Sequence, residues 1–98
     1  IKHSPGVAKG WADVNEDGSN NAGYNLTSTG RDATGEFTVT WATDFSDALY
    51  VVGVTVQDVG PRMARIDAKT AGATSVEIMD NTFANANEPF TILVHGDQ

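Results

Sequence analysis

The sequence predicts an all-β fold, a small antiparallel β-sandwich of about seven strands. Apolar and polar residues alternate with period two along most of the chain, as in half-buried strands. Turn signals rich in Gly, Asp and Pro separate these runs every 10–15 residues or so. No window keeps the apolar spacing of an amphipathic helix for three turns. The 98 residues are enough for one small domain.

The clearest strand spans residues 36–41. Phe37, Val39 and Trp41 share one face, while Glu36, Thr38 and Thr40 share the other. The first three residues are therefore predicted to lie in the core. The other predicted strands are 7–14, 24–31, 50–57, 63–69, a segment around 75–78, and 90–95.

Two positions break the alternation. Gly53 stands in the middle of a strand, which predicts a bulge or a close backbone approach. Leu93 points away from Phe90, Ile92 and Val94, so both faces of the last strand are partly apolar. Leu93 is either part of an interface between subunits or a tolerated exposed residue.

The chain is expected to form one domain over residues 7–98. Residues 1–6 are expected to be a tether to a longer chain, because the first residue is Ile rather than Met. A disulfide-free acidic domain of this size often gains stability by forming oligomers.

Composition excludes several classes of function. The net charge of −7 is a poor match for nucleic acid or for an anionic membrane surface. The absence of Cys removes disulfides and thiol chemistry, and no apolar run is long enough to span a bilayer. We therefore expect no nucleic-acid partner and no insertion into a membrane.

Five short blocks in residues 9–52 carry a resemblance to a known family. They are 9–11 (Lys-Gly-Trp), 14–18 (Val-Asn-Glu-Asp-Gly), 24–28 (Tyr-Asn-Leu-Thr-Ser), 34–42 (Thr-Gly-Glu-Phe-Thr-Val-Thr-Trp-Ala) and 47–52 (Asp-Ala-Leu-Tyr-Val-Val). In order and spacing they resemble the C-terminal module of tailed-phage and prophage tail fibres.

The resemblance has limits. Ala12 and Asp13 are an insertion relative to the family pattern, and residues 53–98 share only the strand pattern and a closing Val-His-Gly. It implies a virion protein rather than an enzyme, a β-sandwich at the distal end of a tail fibre or tailspike. Such modules form homotrimers that bind a receptor on the host surface, often a glycan, or help the fibre to assemble. The alternative is a carbohydrate-binding or adhesion module of a secreted bacterial protein, with calcium as a candidate stabiliser.

The segment 13–18 matches the opening of a calcium loop. Asp13, Asn15 and Asp17 would supply oxygen ligands, and Gly18 follows them. The twelfth position of the pattern is Tyr24 rather than an acid, and no helix flanks the loop. The alternative is a hairpin turn in which these side chains bond to nearby backbone.

The longest polar loop, residues 80–89, holds the candidates for binding a receptor glycan. Amide groups pair with sugar hydroxyls, and an exposed aromatic ring stacks on the apolar face of a sugar. The candidates are Asn81, Phe83, Asn85 and Asn87. The alternative is that Asn merely tolerates turn conformations and that Phe83 lies in the core.

No residue is predicted to be catalytic, and no cofactor is expected. The two histidines, His3 and His95, are not at metal-ligand spacing, and no nucleophile elbow or phosphate-binding glycine loop is present. Arg62, Arg65 and Lys69 form a local basic cluster. It is predicted to be a face of ion pairs that is either exposed to solvent or buried between subunits.

Overall fold

A computed structural model describes residues 8–57, 60 and 62–98. The predicted tether, residues 1–6, lies outside this part of the chain. The described residues form eight strands and no helix. The strands are β1 (Ala8–Val14), β2 (Asn20–Tyr24), β3 (Leu26–Ala33), β4 (Glu36–Trp41), β5 (Val51–Val56), β6 (Arg62–Thr70), β7 (Ala73–Asp80) and β8 (Phe90–His95).

The strands form two four-stranded sheets that pack face to face, which confirms the predicted β-sandwich. The first sheet has the order β2-β1-β8-β5, and the second has the order β3-β4-β7-β6. Every pairing is antiparallel. In the first sheet, β1 lies between β2 and β8, so the two ends of the described chain pair at its centre.

The eighth strand is β2, in which the sequence predicts only Tyr24 to lie in a strand; the predicted strand 24–31 corresponds mainly to β3. Asn25 has a φ of 56° and separates β2 from β3, which lie in different sheets. Its side-chain amide donates to the Lys9 carbonyl at 2.9 Å and accepts from the Thr43 backbone at 2.7 Å. Asn tolerates the left-handed region better than most residues, so it suits this corner. Because β2 is exposed along its whole length, it has no apolar alternation to reveal it.

The core lies between the sheets and follows the predicted alternation. Phe37, Val39 and Trp41 are all buried, as expected from their spacing. Phe37 packs edge-on against Phe90 of the other sheet, with ring centroids 5.1 Å apart. The remaining buried apolar residues are Ala12, Val14, Phe45, Tyr50, Val76, Ile78, Ile92 and Val94.

A buried polar triangle joins three core side chains. The Trp41 indole Nε1 donates to the Thr74 hydroxyl at 3.1 Å, and the Tyr50 hydroxyl lies 2.8 Å from the same oxygen. The Tyr50 hydroxyl also lies 2.8 Å and 2.7 Å from the carbonyls of Thr70 and Ala73. Burial raises the pKa of the Tyr50 hydroxyl, because the charged phenolate would lose its hydration. The triangle ties β4 and β7 to the start of β5.

Candidate functional site

The outer face of the second sheet is mostly polar and charged, with one neighbouring pair of methionines, Met63, which is 39% exposed, and Met79. On it, the Arg65 guanidinium donates to the carboxylates of Glu77 at 2.6 Å and Asp67 at 3.2 Å. Arg62 forms a further ion pair with Glu88 at 2.7 Å. The predicted ion pairs of the basic cluster are thus confirmed for both arginines. The Lys69 ammonium instead donates to the Tyr50 carbonyl at 2.6 Å. Of the three cations, Arg65 belongs to this outer face, whereas Arg62 and Lys69 have the inward phase of the β6–β7 register and reach the edge of the sandwich.

The outer face of the first sheet is different, because three large apolar side chains lie side by side across it and a glycine follows them. The register places Tyr24 beside Trp11, Trp11 beside Leu93, and Leu93 beside Gly53, one residue from each strand. Tyr24 is 57% exposed and Trp11 42% exposed. We call these four residues the aromatic row. Contiguous exposed apolar surface on one face of a small domain marks a binding site.

A groove of about 480 Å³ lies on this face, across β1, β8 and β5. Trp11, Leu93 and Gly53 of the aromatic row line it. The adjacent row of the sheet contributes polar groups from Asp13, Thr91 and Thr55, which also line the groove. Just past β5, the Gln57 amide donates to the Asp13 carboxylate at 3.3 Å. The groove therefore joins an apolar floor to a polar rim.

Gly53 has neither of the features that the sequence predicts for it. The β5–β8 register is unbroken there, so there is no bulge. A Cβ atom at Gly53 would meet only the Leu93 carbonyl oxygen, at 3.9 Å, so no backbone approaches closely. Its φ is not positive either. A glycine in a strand costs about 0.5–1 kcal/mol relative to alanine, and packing does not require this one. What the glycine does provide is an open groove beside Leu93.

The sequence alone does not predict that this face is a binding site. The signal was present in the phase of the alternation, since Trp11 has the opposite parity to buried Ala12 and Val14. The register that aligns Trp11 with Tyr24 and Leu93 is not visible in the sequence, because it depends on pairing β1 with both β2 and β8.

The predicted glycan loop contains a tight turn with Phe83 at its tip. Phe83 is 73% exposed, so the alternative in which it lies in the core is wrong. Its φ is 66°, a conformation that bulky side chains rarely adopt. Asp80 holds the turn, because its Oδ1 accepts from the backbone of Thr82 at 2.8 Å and of Ala84 at 3.1 Å. These bonds lower the pKa of the Asp80 carboxyl, with the Thr82 hydroxyl, 2.6 Å away, as the largest cause.

The other loop candidates divide into two kinds. Asn81 and Asn85 are exposed, and Asn85 forms a single bridge with Met79 of β7. The Asn87 side-chain oxygen instead accepts from the Gly35 backbone at 2.8 Å and so ties the loop to the β3–β4 turn. Phe83, Asn81 and Asn85 remain predicted binding residues, whereas Asn87 has a structural contact.

Replacing Asp80 by alanine should loosen the Phe83 turn without unfolding the domain. The parent carboxylate has a lowered pKa in the folded state, so its contribution is present above the ordinary value of about 3.9. That contribution disappears as the pH falls through the folded pKa. Hydrogen exchange should show amide protons of Phe83 and Ala84 exchanging several-fold faster in D80A at neutral pH. Asn keeps the side-chain oxygen, so D80N is the control; equal exchange in D80A and the parent would contradict this role.

The predicted calcium residues have other hydrogen-bond partners. The Asn15 side chain exchanges two hydrogen bonds with Asn21, at 3.0 and 2.8 Å. The Asp17 carboxylate accepts from the backbone and hydroxyl of Ser19, and the hydroxyl bond lowers its pKa most. Asp13 faces Gln57 instead. The hairpin turn of the alternative thus accounts for Asn15 and Asp17, and calcium binding stays a prediction.

The described part of the chain was also compared with the requirements of a metal site and of a membrane-spanning helix. Within residues 8–57, 60 and 62–98, no group of three or more His, Asp or Glu side chains is placed to hold a metal ion. His95 lies half-buried on the outer face of β8, next to Val51. A search of the same residues finds no helix that is long and apolar enough to cross a membrane.

Comparisons of this chain with family models, with curated proteins and with solved structures find no match.

Proposed function

We propose that this domain is a non-catalytic attachment module, the distal β-sandwich of a phage tail fibre or tailspike, which assembles as a homotrimer in the virion. It binds a host-surface receptor noncovalently through the outer face of its first sheet. The observation that carries the proposal is the contrast between the two outer faces. One carries mainly ion pairs and hydroxyls, with Met63 exposed among them, and the other presents the aromatic row and its groove.

A second exposed apolar surface supports assembly with other copies. β5 is an edge strand of the first sheet, so one side of its backbone lacks a neighbouring strand among the residues that the structure describes. Leu49, just before it, is 84% exposed, and Val51 at its start is also exposed. An exposed apolar edge is a ready contact for another chain. Several weak receptor sites on one trimer would then add through avidity.

Light scattering and cell binding test this function together. The expected mass in solution is about 31 kDa, three times the 10.3 kDa of one chain. Changing Leu49 to Ser and Val51 to Thr should lower that mass and weaken binding to bacterial cells from a strain panel. A monomer that binds no cell in the panel would contradict the proposal.

The second candidate is a carbohydrate-binding module of a secreted bacterial protein. It is favoured by the same aromatic row, which needs no second copy to form a site. A stable monomer that binds saccharides with millimolar affinity would identify this candidate instead.

A further inference from the structure

We propose that the groove on the first sheet binds a neutral oligosaccharide, with Trp11 as the stacking platform and Gly53 as the residue that keeps the site open. This inference rests on the proposed attachment function and names the chemistry of its receptor. It assigns recognition to the aromatic row rather than to the Phe83 turn.

The chemistry of the groove fits a sugar on both sides. A sugar ring has an apolar face of C–H groups, which pack against the electron-rich face of an aromatic ring. Trp11 and Leu93 supply apolar surface along the groove. Hydroxyl groups at the ring edge need hydrogen-bond partners, which Asp13, Thr91 and Thr55 provide in the next row. Ligand sites commonly combine an apolar lining with a few placed polar groups.

Charge selects a neutral ligand. Among the residues that the structure describes, the side chains lining the groove include no Lys or Arg, and Asp13 carries the only ionisable group. The whole chain carries a net charge of −7. A sialylated or uronic-acid saccharide would be repelled by both, while a neutral one is not.

Area argues against a second copy as the occupant. The four strands span about 19 Å at a spacing of about 4.8 Å, and six residues span about 20 Å. The face therefore has a flat footprint of about 400 Å². A stable protein interface buries about 800 Å² of accessible surface on each partner, which a face of this footprint reaches only if side-chain relief doubles its flat area. A groove of this size instead matches the volume range of small-ligand sites.

Gly53 gives the inference its sharpest test. Among the described residues, a Cβ at this position meets only the Leu93 carbonyl oxygen, at 3.9 Å, and valine has a higher strand propensity than glycine, so G53V should fold at least as well as the parent. Its side chain would fill the groove beside Leu93. Gly30 is the matched control: it lies mid-strand in β3, on the outer face of the second sheet, and a Cβ there has nothing within 4 Å. G30V makes the same chemical change away from the groove.

The experiment screens the domain on an array of neutral hexose oligosaccharides and of sialylated and uronic-acid oligosaccharides. The strongest neutral binder is then titrated while the two indole N–H signals are followed by NMR. The Trp11 signal should shift, and that of Trp41, which is buried and bonded to Thr74, should not. Both G53V and W11A should weaken binding about tenfold or more, and G30V should leave it unchanged.

Each of the other outcomes would contradict either the saccharide groove or the proposed attachment function. Binding of acidic saccharides alone, or an equal loss of binding in G30V and G53V, would refute the neutral-saccharide groove. If the domain binds bacterial cells as a trimer but no saccharide shifts the Trp11 signal, this inference fails and the attachment function survives. If G53V lowers the mass in solution instead, the face is an interface between copies. If saccharide binds at Trp11 but the protein is monomeric and binds no cells, the fibre function fails.

Discussion

Replacing Trp41 by alanine is expected to destabilise the domain by about 3–5 kcal/mol, the usual cost of deleting a large buried aromatic side chain. Trp41 is almost fully buried between the sheets, and its ring packs so closely on β1 that a Cβ at Gly10 would lie 2.8 Å from it. The change therefore removes contacts between β4 and β1 and opens a cavity in the core. A domain of this size has a total stability of about 5–15 kcal/mol, so W41A sits close to the unfolding threshold.

The measurement is thermal unfolding followed by circular dichroism. Each kcal/mol corresponds to about 4–8 °C in Tm for a domain of up to 100 residues, so W41A should lose at least about 12 °C. The matched control is W11A, which deletes the same side chain from the exposed outer face. W11A should cost far less, because Trp11 keeps much of its surface in solvent. Similar losses in the two variants would show that the core is not where the structure places it.

Replacing Thr74 by valine is expected to destabilise the domain by about 1–3 kcal/mol, although the two side chains have nearly the same shape. The hydroxyl of Thr74 is the acceptor for the Trp41 indole N–H and a partner of the Tyr50 hydroxyl. Thr74 is fully buried, so water cannot replace the lost acceptor. The valine variant keeps the packing and leaves a buried N–H without a partner, which is the costly case.

Chemical denaturation measures this change, with T40V as the control. Thr40 lies half-buried on the outer face of β4 and takes no part in the triangle. T40V should alter the free energy of unfolding by no more than about 0.5 kcal/mol. A double-mutant cycle with Y50F should show coupling, because both changes remove the same Tyr50–Thr74 bond. Additive effects of the two changes would argue against a shared hydrogen bond.

The sequence predicts the layers of this fold well because burial has a clear period. Wherever a strand has one buried face, as in 36–41, every second residue must be apolar, and that pattern is readable without a structure. β2 is not predictable in this way, because neither of its faces is buried. The corner at Asn25 is not predictable either, because a single left-handed residue leaves no periodic pattern. The strand count therefore rises from about seven to eight among the described residues, without any change of fold class.

The site is less predictable because it depends on pairing between distant strands. Trp11, Leu93 and Gly53 are far apart in the sequence, and only the registers of β1 with β8 and of β8 with β5 make them neighbours. The Phe83 turn shows the opposite case. Its residues are adjacent in the chain, so composition predicts the loop, but the turn that exposes Phe83 depends on the Asp80 contacts.

The pairing of β1 with β8 has a consequence for how the protein is made. During synthesis, β1 leaves the ribosome before β8 and has β2 as its available sheet neighbour until β8 emerges about 80 residues later. β5 must also wait, since β8 is its neighbour in the sheet. Such distant contacts slow folding and leave edges open in the meantime. The groove, whose walls come from all three strands, therefore forms only once β8 has paired with both β1 and β5.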